Sequence, residues 1–202
     1  MLLSVLFIVA LGAVNGHCAV YSGSLSGAGL VSAGNWQSST LNWTVSTVPG
    51  SPGLWQYAYD LVLPSDASNI NHFIIEAPLV GSITTTTGAA TIGSHNTHSG
   101  LPDLTGIKFT GVGPSSHTSW HIVFTAYNVP AWGDFYARGN SRNNVRNTGF
   151  TNPDSDPVAA PGNSSVGNHI LVPGAVVPIP ATAWLLGAGL IGLATLRRKF
   201  KK

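Results

Sequence analysis

A two-residue period limits this chain more than any other feature of its sequence. In LNWTVSTV (41–48), Leu41, Trp43 and Val45 alternate with Asn42, Thr44 and Ser46. In WQYAYDLVL (55–63), Trp55, Tyr57, Tyr59, Leu61 and Leu63 fall on one face. Side chains of an extended strand point alternately to its two faces, so this pattern predicts strands with one face buried and one in water. INHFIIEA (70–77), GIKFTGV (106–112), SWHIVFTAY (119–127), WGDFYAR (132–138) and HILV (169–172) are further strand candidates. Between them VPGSPG, LPSDASN, SHNTHSGLPD and VGPSSH supply the Gly, Pro, Asn and Asp that turns require. Only 8% of residues are charged, against 24 glycines and 13 prolines, a balance that argues against helices and for a turn-rich exported β-protein. The expected fold is therefore all-β, an antiparallel β-sandwich of jelly-roll-like form.

The ends of the chain read differently. Leu2–Val14 is an apolar run of signal-peptide length, and Val14 and Gly16 are small residues at positions −3 and −1 of a cleavage site before His17. A secretory signal peptide over 1–16 is expected, although no Lys or Arg precedes the run. The single cysteine, Cys18, has no internal disulfide partner, and Gly16 and His17 ahead of it do not make a lipoprotein box. At the other end, the sixteen residues Ala181–Leu196 are uncharged, contain Trp184 and several glycines, and are followed by Arg197, Arg198 and Lys199. This predicts one short C-terminal transmembrane helix with its basic end in the cytoplasm and the body outside. Pro178 and Pro180 keep the segment just outside the membrane extended. Removing the ends changes the charge: four cations (Lys108, Arg138, Arg142, Arg146) face seven carboxylates in the body, so it is acidic and gives nucleic acid no footprint.

Taken together, Val177, Pro178, Ile179, Pro180 and Ala181, then Trp184-Leu185-Leu186-Gly187-Ala188-Gly189-Leu190, then the Arg/Lys cluster resemble the PEP-CTERM sorting signal of Gram-negative, exopolysaccharide-producing bacteria. Ile179 stands where that signal most often has Glu, as in its VPLPA variant. The resemblance implies recognition by exosortase, a membrane cysteine protease or transpeptidase, transient anchoring in the inner membrane, and a destination at the cell surface or in the matrix. GIKF (106–109) followed by VPAWGDFYARG (129–139) is similar to a pattern in some PEP-CTERM proteins of unassigned activity, and implies no chemistry. A GPI signal would lack the basic block. The expected organisation is a signal peptide (1–16), a sandwich body (17–160), a flexible stalk (161–177) and the sorting signal (178–202).

Within the body no catalytic motif stands out: there is no GxSxG, no P-loop and no GxGxxG after a predicted strand. His95 and His98 share a turn, with no Glu or Cys beside them, and read as exposed polar residues. His117 and His121 are four apart on a loop entering a strand, where helical spacing has no meaning. Asp154 and Asp156 in NPDSDP offer oxygen atoms for Ca²⁺ but lack the longer alternating loop of a recognised site. Asp60 and Asp134 would suit a glycosidase only if the fold brought them together. No metal, cofactor or catalytic residue is expected. Flat indoles match sugar rings, and Trp36 and Trp132, in or beside Gly-containing turns, are the expected exposed pair for glycan stacking; the other tryptophans read as core. The sequence therefore points to a non-catalytic surface or matrix protein, with a carbohydrate-binding module, a secreted hydrolase and a simple membrane-anchored protein as alternatives.

Overall fold

The computed structural model of the protein describes residues 18–67, 69–97, 100–110, 119–140 and 142–174. Among these residues thirteen strands follow one another: β1 (Val20–Ser26), β2 (Leu30–Ala33), β3 (Thr40–Thr47), β4 (Trp55–Val62), β5 (Ile70–Glu76), β6 (Thr84–Thr85), β7 (Ala89–His95), β8 (Leu104–Thr110), β9 (Ser119–Ala126), β10 (Pro130–Gly133), β11 (Phe135–Gly139), β12 (Asn144–Asn147) and β13 (Ile170–Pro173). The only helical elements among the described residues are two single 3₁₀ turns, Gly27–Gly29 and Gly34–Trp36. All strand pairs are antiparallel.

One sheet has the order β1-β3-β4-β9-β6, a second β2-β12-β11-β5-β8-β7, and β10 and β13 form a two-stranded ribbon. The alternation in β3, β4 and β9 fixes their register. Trp43 lies opposite Tyr59 and Leu41 opposite Leu61, while Tyr59 and Leu61 face Ile122 and Trp120 on the other side. All of these are buried, whereas a slip of one residue would turn each of them to water. Two consecutive Pro-Gly turns close β3 onto β4. Ser51 N donates to Val48 O and Leu54 N to Ser51 O, with Gly50 and Gly53 supplying the positive φ of type II turns.

The two sheets face each other across an aromatic core. Phe73 of β5 lies 6.2 Å from Tyr59 and 6.0 Å from Trp120, edge-on to the latter, and Phe109 of β8 lies 5.5 Å from Phe124 of β9. Fully burying such a side chain contributes roughly 1.5–3 kcal/mol. The outer face of the second sheet is also covered: Ile74, Leu104, Tyr136 and Phe150 form a smaller buried cluster with Leu101 against it. For this reason β5 reads as a continuous apolar run rather than an alternating one.

The stretch 132–138, expected as one strand, is two. It breaks at Asp134, and β10 pairs with β13 while β11 pairs with β5. The expected stalk over 161–177 and the body boundary at 160 are corrected as well. Ile170, Leu171 and Val172 of β13 are buried in the main core, and Leu171 O accepts a 2.7 Å hydrogen bond from the Tyr59 hydroxyl. The segment before β13 is a strap laid along the edge of β1, where Ser22 N donates to Asn163 Oδ1 and Ser164 N to Ser22 O. Among the described residues no helix is long and apolar enough to cross a membrane. The expected leader 1–16, His17 and the sorting signal 178–202 lie outside the described residues.

Candidate functional site

Five side chains from distant parts of the chain meet at one end of the sandwich: Glu76, which ends β5, Asp134 at the break between β10 and β11, Asp154 and Asp156 on the strap, and His169 just before β13. Glu76 and Asp134 hold each other in place. Glu76 N donates to Asp134 O at 2.9 Å, and Asp134 N donates to Glu76 Oε2 at 2.9 Å. Asn147, ending β12, donates from Nδ2 to Asp134 Oδ1 at 2.5 Å and accepts from Phe135 N at 3.0 Å, so it fixes both the carboxylate and the strand that follows it. His169 is aimed by the tight turn 166–169, where Gly167 and Asn168 take positive φ. Val166 O accepts from His169 N at 3.0 Å and lies 3.2 Å from Nδ1, which therefore carries the ring proton. Nε2 is left pointing at carboxylates, 3.5 Å from Asp134 Oδ1 and 3.9 Å from Asp156 Oδ1. The imidazole lies against Gly149, where a Cβ would collide with it.

The charges in this site are poorly compensated. Among the described residues neither Lys nor Arg forms an ion pair with any of the four carboxylates. Burial, reinforced by the charges of Asp156 and Asp154, pushes Glu76 up to about 8, with the Asp134 amide pulling the other way. Burial pushes Asp134 up to about 9 against the hydrogen bond from Asn147, and Asp154 and Glu76 add to the rise. Asp156 is also raised, by burial and by Asp154. Two overlapping triads, Asp134–Asp156–His169 and Glu76–Asp134–Asp154, each present ligand atoms within 4.8 Å of one another. Such an arrangement can share protons or hold a cation. Beside it lies a cleft of about 230 Å³ lined by Glu76, Trp132, Asp156, Pro157, Val158 and Val172 among others. That is smaller than typical ligand pockets of about 300–1,000 Å³.

The residues expected to stack on sugars are elsewhere. Trp36 is fully buried, and Trp132 is only 3% exposed. Trp36 sits in its 3₁₀ turn with the indole against Gly139, where there is no side chain to hold it off. Trp132 is roofed by the strap and donates from Nε1 to Ala160 O at 3.2 Å. A turn position is therefore no guide to exposure here, because the strap and a neighbouring glycine cover both rings. The partly exposed aromatic pair is Tyr21 and Trp55, stacked at 6.1 Å. Asp60 does not meet Asp134; its Oδ1 is 2.5 Å from His121 Nδ1 on the outer face of the first sheet. His95 lies on β7, half-buried, and His98 and His117 lie outside the described residues, as do Gly16, His17 and the sorting residues Val177, Pro178, Ile179, Pro180, Ala181, Trp184, Arg197, Arg198 and Lys199. NPDSDP and WGD are visible in the sequence, but Glu76 and His169 carry no local signal, since only long-range pairing brings them together.

Compared with known proteins, the chain matches no family model, no curated protein and no solved structure.

Proposed function

We propose that this is an exported, non-catalytic surface or extracellular-matrix protein whose C-terminal PEP-CTERM-like signal is recognised and cleaved by exosortase. It is held for a time in the inner membrane, with its body outside the cytoplasm, and works in association with exopolysaccharide or biofilm. The body is an all-β, antiparallel fold consistent with a sandwich, and a jelly-roll-like arrangement is the form we propose for it, supported by neighbours such as β4 and β9, or β5 and β11, that come from distant parts of the chain. One observation supports this reading above others. The folded body fits the interval between the two expected processing points, with β1 opening at Val20, just after Gly16 and His17, and β13 closing at Pro173, just before Val177. Cleavage at both ends would then release a sandwich that keeps every described strand.

The test is the intact mass and C-terminal peptide of the protein isolated from its host, with and without the candidate exosortase. A terminus within 177–181 that depends on the enzyme is the expected result. A chain still ending at Lys202 in both strains would make this a simple membrane-anchored surface protein.

A secreted hydrolase is favoured by a single feature, the close carboxylates beside a cleft. Against it, Asp134 at their centre is fully buried, so no substrate atom reaches it. Release of sugar from matrix polysaccharide by the purified protein, abolished in Glu76→Gln, would establish that reading.

A further inference from the structure

We propose that Asp134, Asp156 and His169, with Glu76 and Asp154 completing the shell, bind one divalent transition-metal ion of the Mn²⁺ or Zn²⁺ class at the end of the sandwich. Clustered carboxylates alone would not carry this. The decisive observations are two polar atoms that are buried, aimed into the cluster and without a hydrogen-bond partner. Asp134 is 0% exposed, and its Oδ2 has no donor; His169 is 5% exposed, and its Nε2 has none either. An orphaned buried oxygen or nitrogen costs free energy that a native fold does not normally leave uncompensated.

Val166 O requires a proton on Nδ1, so Nε2 is the ring nitrogen that faces the oxygens of Asp134 and Asp156. Nε2 lies 3.5 Å from Asp134 Oδ1 and 3.9 Å from Asp156 Oδ1, separations that one ion ligated by all three atoms spans. A backbone carbonyl on Nδ1 with Nε2 turned inward is also how metal-bound histidines are oriented. Asn147 plays the matching part for Asp134, holding Oδ1 and leaving Oδ2 open.

The donor set selects the ion. Carboxylates accept Ca²⁺, Mg²⁺ and Mn²⁺, whereas imidazole favours first-row transition metals, so a buried imidazole among carboxylates points to Mn²⁺ or Zn²⁺. Asp154 and Asp156 belong to the strap, while Asp134 and Glu76 belong to the sandwich, so the ion joins the two. It acts as a cross-link in a fold whose single cysteine excludes an internal disulfide.

The full chain, purified in mild detergent and stripped with chelator, is dialysed to equilibrium against Mn²⁺, Zn²⁺ or Ca²⁺, and bound metal is measured. One Mn²⁺ or Zn²⁺ per chain is expected, with a rise in melting temperature. Affinity should fall at least about tenfold in Asp134→Asn and in His169→Gln. Pulsed electron paramagnetic resonance of the Mn²⁺ form should show nitrogen coupling that disappears in His169→Gln. Asp156→Asn changes a more exposed ligand and serves if the buried variants do not fold. The proposal is overturned by absence of binding at millimolar metal, by affinities unchanged in the variants, or by Ca²⁺ binding alone that ignores His169.

Discussion

Asp134 and Glu76 have the opposite pH behaviour from ordinary surface carboxylates. In the metal-stripped protein their folded values lie near 9 and 8, against ordinary values of 3.8 and 4.5. The folded state therefore keeps protons that the unfolded chain gives up, and stability falls as pH rises between those limits. Whatever these groups contribute is fully present below about pH 4 and lost by about pH 9. With chelator present, the urea midpoint should be higher at pH 5 than at pH 8.5, and Glu76→Gln with Asp134→Asn should flatten the difference. A midpoint that stays level or rises with pH would mean that water reaches both carboxylates. Saturating metal should remove the fall, because the ion then replaces the protons.

Strands show what a local pattern reveals and what it hides. The chain carries β3, β4 and β9 openly, since each buries alternate large side chains in the middle of a sheet. β1, β7 and β12 are not legible in that way. β1 is VYSGSLS with one buried residue, β7 is an edge strand with none, and β12 lies in an Asn/Arg-rich stretch, held by pairing to β2 and β11. Their place comes from backbone partners rather than from their own side chains. The strap is a further case: its polar, proline-containing sequence reads as a free linker, yet it is pinned at Trp132 and at the edge of β1. Trp132→Ala removes both the indole beneath the strap and the hydrogen bond to Ala160. It should lower stability by about 3–5 kcal/mol, the range for large buried aromatics. Limited proteolysis with mass spectrometry should then show new cleavage within 154–160. An unchanged digest would assign the strap's hold to Asn163, Ser164 and the carboxylate cluster instead.

For the whole molecule, the closing strand matters more than its length suggests. β13 places Ile170, Leu171 and Val172 in the same core as β3, β4 and β5, positions His169, and provides the carbonyl that satisfies the buried Tyr59 hydroxyl. Loss of β13 would leave that hydroxyl and the backbone of β10 without partners in an apolar interior, in addition to the lost apolar burial. A chain ending at Ala160 should therefore lack a cooperative melting transition and bind dyes that report exposed apolar surface. A chain ending at Val176 keeps every described strand and should melt cooperatively, with the same near-ultraviolet circular dichroism as the full protein. Equal behaviour of the two truncations would show β13 to be dispensable. Cooperative folding of the longer one alone puts the end of the domain before the prolines at 178 and 180.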